Sequence, residues 1–241
     1  MDGAVANGAR TQDQPVPAGG RSGAGVCAGH GRQKPGRRVR RNPYPQRQFL
    51  GAKKMKLRWS PTSPFVRKVV VLMKEKGIED LVEKEKSNPL SADDRAETPS
   101  PLGQIPCLIT DDGQSIYDSP VIMEYLDSTC DGPEMVPASG TARWTVLTRQ
   151  ALADGMIASM VICFVESLKK PERQSKGILA HNKAIVFSGI AALEIEVGGF
   201  AGDIDAGTIT VAVALAFADQ TFPDDDWRVD NPSLAAWFDE F

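Results

Sequence analysis

Residues 60–78 read SPTSPFVRKVVVLMKEKGI, and the way this stretch begins decides the fold. Val66, Val69, Val70 and Met73 recur at helical spacing on one face, which predicts an amphipathic helix from Pro64 to Gly77. Proline suits the first helical position because an N–H there has no intrahelical partner to lose. Glycine adopts the left-handed conformation that ends a helix. The preceding residues 56–59, KLRW, read as a strand. The chain therefore passes from strand to helix through Ser63, and Ser63 admits two readings. It caps the helix by accepting one of the free N–H groups. Alternatively it helps to hold an anion, because four backbone N–H groups are unpartnered there and the helix dipole favours negative charge.

Downstream the alternation of strand and helix continues. Residues 80–85, DLVEKE, read as a strand and 91–97 as a short helix. Residues 105–109, IPCLI, and 114–117, QSIY, are strands around Asp112-Gly113, a strong hairpin signal. Residues 119–127, SPVIMEYLD, form a helix with Ser119 at its N-cap and Pro120 first in it. A helical crossover can join parallel strands, while a tight hairpin joins antiparallel ones, so the sheet is mixed. After 131–137, DGPEMVP, strand signals vanish. Helices are expected over 140–169, with a stripe of Leu152, Met156, Met160, Phe164 and Leu168, and over 172–197, with Leu179, Val186, Ile190, Leu193 and Val197. A third is expected over 208–220, with Val211, Leu215 and Ala218 continued by Phe222, and a fourth from 232 onward. The pattern is a small mixed α/β half followed by an all-helical half. Such stripes ordinarily form core, although Leu152, Met160 and Phe164 would also suit a pocket or a subunit interface.

With 41% hydrophobic and 24% charged residues, the 241-residue chain has an ordinary globular composition. Its net charge of −3 hides an asymmetry, +9 over residues 1–54 and −12 over the rest. An acidic body argues against a general affinity for nucleic acid. The first 54 residues hold ten Gly, five Pro and few large aliphatic side chains, too little apolar surface to offset the entropy of ordering. They are expected to form a disordered basic extension upstream of a native start at Met55. The run RRVRR, Arg37 to Arg41, reads as a solvated charged tail. Cys27, Cys107, Cys130 and Cys163 are scattered without a CxxC pair, and only two His are present. That argues against a Cys/His metal site and fits a reducing cytoplasm. No apolar run is expected to reach the roughly 18 residues that a membrane span needs.

Three further motifs follow the opening one: PLGQIPCLI at 101–109, DSPVIMEYLD at 118–127 and FPDDDWRVDNPSLAAWFDEF at 222–241. In this order and spacing the chain from Met55 onward resembles a cytosolic glutathione S-transferase. It is most similar to bacterial members with Ser or Cys at the start of the first helix. The resemblance implies an α/β thioredoxin-like N-terminal domain with a mixed four-stranded sheet over 55–131. A linker over 132–138 and an all-α C-terminal domain over 139–241 complete it. Ser63 is then the implied catalytic residue, donating a hydrogen bond to the sulfur of glutathione, with Thr62 as a substitute donor and Phe65 beside it. The Ile105-Pro106 bond is implied to be cis, so that the Ile105 backbone pairs with the cysteinyl backbone of the peptide. Asp118 and Ser119 are implied to hold the γ-glutamyl ammonium and carboxylate. The resemblance also implies a hydrophobic electrophile bound against the helical domain, a homodimer, a detoxifying role and glutathione as co-substrate without metal or redox cofactor.

Several residues depart from the family pattern. Gln104 stands where many relatives have Lys, and a neutral amide binds the glycyl carboxylate more weakly. Many relatives carry Ser/Thr followed three residues on by Asp at the start of the central helix of the second domain. Here Thr208 is followed by Val211, so the box is expected to be missing, at a cost of about 1 kcal/mol. Relatives often continue beyond the position of Phe241. Two other readings follow: a non-catalytic protein-binding module of this fold, or a glutathione-dependent isomerase or dehalogenase. Ser63 cannot form the mixed disulfide that Cys would, which favours conjugation. Cys107 reads as a small buried hydrophobe.

Overall fold

Strand β1 (Met55–Trp59) buries Met55 and Leu57 on one face and directs Lys56 and Arg58 to the other. The computed structural model describes residues 54–241, apart from 89, 201 and 203. The expectations for the basic extension, RRVRR included, lie outside the described residues. β1 runs parallel to β2 (Val82–Lys86) and antiparallel to β3 (Cys107–Ile109), and β3 pairs antiparallel with β4 (Ser115–Ile116). The order is β2-β1-β3-β4, a mixed four-stranded sheet. Helix α1 (Pro64–Lys76) makes the parallel crossover, and Gly77 ends it at φ 68°. Short α2 (Ala92–Glu97) is capped by Ser91. Helix α3 (Ser119–Thr129) follows the hairpin. Val69, Leu72 and Met73 of α1 pack with Leu57, Leu108, Ile122 and Leu126 in the first core.

Three expected strands are shorter than the sequence suggests, β4 keeping only Ser115–Ile116 of 114–117. β2 begins at Val82 because Glu79–Leu81 form a 3₁₀ turn. β3 begins at Cys107 because Pro106 has no N–H to give to the ladder. Asp118, and not Ser119, occupies the N-cap of α3, which puts Ser119 inside the helix.

Among the described residues only helices follow: α4 (Gly140–Ser167), α5 (Lys176–Glu196), α6 (Ala206–Thr221) and α7 (Pro232–Glu240), with short 3₁₀ turns between them. α6 is apolar all round and buried between its neighbours, as that composition requires. The second core joins Met156 and Met160 of α4, Val186, Ile190 and Leu193 of α5, and Val211 and Leu215 of α6. Val146, Ala206 and Ile209 belong instead to the first core, so the two halves share apolar contacts.

The expected α4 stripe only partly becomes core. Met156 and Met160 are buried, but Phe164 is 47% and Leu168 58% exposed. Four residues advance a helix by about 400°, so a strict i+4 series rotates off the buried face. The observed seam mixes steps of three and four through Val146, Arg149, Ala153, Met156, Met160 and Cys163. α5 starts at Lys176 because Ser175 caps it, its Oγ accepting from Ile178 N at 3.3 Å.

The expected absence of a capping box on α6 is wrong in register. Asp205 is the N-cap and Thr208 the third helical residue, and each side chain bonds the other's backbone. The helix starts two residues earlier than its apolar stripe suggested. The expectation about membrane spans also needs correction. Gly140–Ser167 and Lys176–Gly199 are long and apolar enough to cross a bilayer by length and composition, because a few charges do not cancel their mean hydropathy. Half of the apolar window is buried inside the protein in the first helix and 28% in the second.

The connector is held by two buried charges. Asp127 accepts Met135 N and Val136 N, each at 2.9 Å, and Lys76 Nζ at 2.9 Å. Lys76 also donates to Pro133 O at 3.0 Å. Gly132, at φ 119°, lets the chain pass Lys76, since a Cβ there would lie 2.8 Å from the Lys76 carbonyl oxygen.

Candidate functional site

Sheet register brings the three motifs to one edge. β1 ends into residues 60–63, and Arg58 near that end faces Cys107, the first residue of β3. The Ile105-Pro106 step is therefore beside the β1–α1 turn. Leu108 of β3 faces Ile116, the last residue of β4, so the start of α3 at Asp118-Ser119 leaves the same end of the sheet. Two successive antiparallel pairings converge three loops that lie far apart in sequence.

Ser63 is the N-cap of α1, half-buried, with φ −80° and ψ 119°. Its Oγ accepts from Val66 N at 3.4 Å, a long bond. Capping uses the oxygen as acceptor and leaves the hydroxyl hydrogen to donate elsewhere. Thr62 is exposed, and its hydroxyl lies 3.0 Å from Ser60 Oγ. Phe65 packs against the helical core, so its side chain ties the start of α1 to the second half.

The Ile105-Pro106 peptide is cis, as the resemblance implied. Ile105 and Pro106 are buried, and Ile105 lies just outside the ladder that begins at Cys107. Gln104 is exposed beside them. Gly103 holds the loop at φ 59°, where a Cβ would press on the Arg95 carbonyl oxygen at 3.0 Å. Cys107 is fully buried, and burial pushes its thiol above the ordinary range, which suits a packing group.

At the third loop Asp118 is exposed while Ser119 is buried. Ser119 Oγ has no protein hydrogen-bond partner among the described residues. Pro120 follows in the first turn. A buried hydroxyl without a partner is unfavourable, so a hydrogen-bonding ligand at this helix start would relieve it.

Sequence reasoning missed one charged pair nearby. Lys68, one turn into α1, is fully buried and donates to both Asp154 carboxylate oxygens of α4 at 2.5 and 2.7 Å. Burial pushes the Lys68 ammonium below its ordinary range and the Asp154 carboxyl above its own, with mutual attraction opposing both. The Asp118 charge reaches both groups. The signal in the sequence was a lysine within the apolar face that holds Val69, Leu72 and Met73.

Leu152 and Met156 line a groove of about 600 Å³ between α4 and α5, with Gly155, His181 and Ile185. No group of three His, Cys, Asp or Glu side chains converges for a metal among the described residues.

Comparison with known proteins agrees with this fold. The profile of the glutathione S-transferase N-terminal domain matches residues 62–129. The uncharacterized GST-like protein YibF of Escherichia coli (strain K12) is 32% identical over 183 residues, covering 75% of this chain and 90% of that one. A probable glutathione S-transferase of Nicotiana tabacum is 27% identical over 188 residues, covering 74% and 79%. Among solved structures, a glutathione transferase family member of Pseudomonas fluorescens Pf-5 with bound glutathione is 39% identical, with a TM-score of 0.73. That alignment covers 78% of this chain and 93% of the other.

Proposed function

The chain belongs to the glutathione S-transferase family, and from that premise we propose that it binds glutathione at the converged loop ends and transfers it to a hydrophobic electrophile. The observation that carries this reading is the meeting of Ser63, Ile105-Pro106 and Asp118-Ser119 at one end of the sheet. A relative 39% identical to this chain holds glutathione.

Each ligand group has a chemical partner. The ammonium of the γ-glutamyl end suits Asp118. Its carboxylate suits the Ser119 hydroxyl and the free N–H groups at the start of α3. The Ile105 backbone pairs with the cysteinyl residue as an added strand would. Gln104 faces the glycyl carboxylate, with Thr62 and Phe65 bordering the sulfur. The thiol sits at the positive end of α1, where its ionisation is favoured. Ser63 donates a hydrogen bond to the resulting thiolate, a charge-assisted bond. The thiol proton leaves to solvent. The sulfur then forms a bond to the electrophilic carbon, and the leaving group departs with its bonding pair. This sequence calls for no metal or redox cofactor.

We assign glutathione binding to residues 55–131 and electrophile binding to 139–241, joined by 132–138. A detoxifying homodimer in the cytoplasm is the setting this chemistry fits. The Asp205–Thr208 box removes one of the departures that favoured a non-catalytic module.

The test is retention on immobilised glutathione, followed by turnover with a chloronitrobenzene-type electrophile. Retention with turnover is expected. Retention without turnover of several electrophiles would leave a binding module, and loss of both would remove the reading.

A further inference from the structure

Gln104 leaves the glycyl end of the proposed ligand without a cation in its own loop. Position 104 is exposed and neutral, and its neighbours Gly103 and Ile105 carry no charge. The direction of the ligand says where a cation would have to come from. Its γ-glutamyl end is assigned to the start of α3, which follows β4, and its cysteinyl backbone to Ile105, which leads into β3. The sheet order is β2-β1-β3-β4, so a peptide running from α3 past Ile105 points its glycyl end towards the β2 edge. Helix α2 follows β2.

The last turn of α2 touches the loop directly. Gly103 sits at φ 59°, and a Cβ there would lie 3.0 Å from the Arg95 carbonyl oxygen and 3.1 Å from Arg95 Cβ. Glycine is what permits this approach. Gly103 and Ile105 are two residues apart, about 7 Å at full extension. The stem of Arg95 therefore starts beside the loop that carries the cysteinyl contact. Arg95 also lines an open groove of about 550 Å³ with Thr98, Ser100, Leu102 and Gly103. There the Thr98 hydroxyl donates to Asp94 O at 2.8 Å, and Ser100 Oγ accepts from Leu102 N at 3.3 Å. The acids beside Arg95 are engaged elsewhere. Asp94 accepts from Asn88 N, and Glu97 lies 3.6 Å from Arg58 Nη2. Arg95 is exposed and forms no ion pair among the described residues.

We propose that Arg95 is a binding residue for the glycyl carboxylate, supplying from α2 the cation that Gln104 lacks. A guanidinium suits this task because it offers a carboxylate two parallel N–H donors. The proposal rests on the reading of glutathione as the ligand.

The test compares two probes by calorimetric titration of the full chain: glutathione, and glutathione with its glycyl carboxylate converted to the carboxamide. The ratio of their dissociation constants reports that charge alone. Wild type is expected to favour glutathione by about tenfold, the size of one partly screened charge. Arg95→Gln should remove most of this preference, and Arg95→Lys should keep part of it. Arg95 is exposed, so neither change threatens the fold. Arg95→Gln/Gln104→Lys moves the cation into the loop and should restore the preference. Lys86, exposed at the end of β2, is the comparison cation, and Lys86→Gln should leave the ratio unchanged. An Arg95→Gln variant with the wild-type ratio overturns the proposal, whether or not both probes bind more weakly. So does a wild type indifferent to the carboxylate, a double variant that stays indifferent, or a preference lost in Lys86→Gln. A wild type that binds neither probe sinks the glutathione reading instead.

Discussion

Asp205 and Thr208 bond each other reciprocally at the start of α6: Asp205 Oδ1 accepts from Thr208 N at 2.8 Å, and Thr208 Oγ1 accepts from Asp205 N at 2.9 Å. This box fixes the first turn of the helix that both cores surround. Asp205→Ala should lower stability by about 1–2 kcal/mol, seen as a lower urea midpoint with an unchanged slope. Val211, where a box starting at Thr208 would need its acid, is fully buried. Val211→Asp would bury an unpaired carboxyl and should cost about 3 kcal/mol or more. A higher midpoint for Val211→Asp would mean the cap is misassigned.

Local chemistry is what the sequence made legible. Pro64 and Gly77 bracket α1, and Asp112-Gly113 turns the hairpin. Ser63, Pro106 and the Asp118-Ser119 step lie at element ends, where turn chemistry is strongest. Three features were not legible. The apolar stripe points to Thr208 rather than Asp205 as the α6 cap, because such a stripe does not mark the first turn of a helix buried all round. The α4 stripe through Phe164 and Leu168 drifts into solvent because a spacing of four overshoots the helical turn. Lys68 and Asp154 meet only through packing of α1 on α4: the position of Lys68 on the apolar face of α1 marks it apart from half-exposed Arg67, but nothing local names its partner.

The connector offers a sharper test of stability. Asp127 serves two backbone N–H groups and a buried lysine at once. Asp127→Ala strands both N–H groups and leaves the buried Lys76 ammonium with carbonyl partners but no counter-charge, and should cost roughly 3–5 kcal/mol. Lys76→Met leaves Asp127 its two N–H partners and should cost less. Equal losses in chemical denaturation would mean that the ion pair, and not the connector bonds, carries the effect.

A pH dependence follows from Asp219. Its carboxylate accepts from Arg228 Nη1 and Nη2, each at 2.8 Å, and from Trp227 Nε1 at 2.7 Å. Arg228, stacked over the Trp227 ring at 4.4 Å, is the main cause that holds the carboxyl below its ordinary range. The folded state therefore favours the ionised form. This contribution is fully present above the unfolded-state pKa and is lost as pH falls through the lower folded value. Wild type should exceed Asp219→Asn in thermal midpoint at pH 7, and the gap should close on acidification below pH ~4. A gap that stays constant into acid would assign the difference to packing alone.

Ser63 separates capping from catalysis. Both roles use one oxygen: it accepts from Val66 N, and its hydrogen is proposed to point at the sulfur. Ser63→Ala loses both and should cost about 1 kcal/mol of stability. It should also slow conjugation about tenfold to a hundredfold, the worth of a hydrogen bond to a charged group. Ser63→Gly restores much of the cap, since glycine is tolerated there, but no donor. Stability should recover in Ser63→Gly while turnover stays low, and the bound thiol should titrate at higher pH in both variants. Thiol acidity is read from the thiolate absorbance of bound glutathione. If Ser63→Gly regained turnover together with stability, the hydroxyl would be a cap and nothing more.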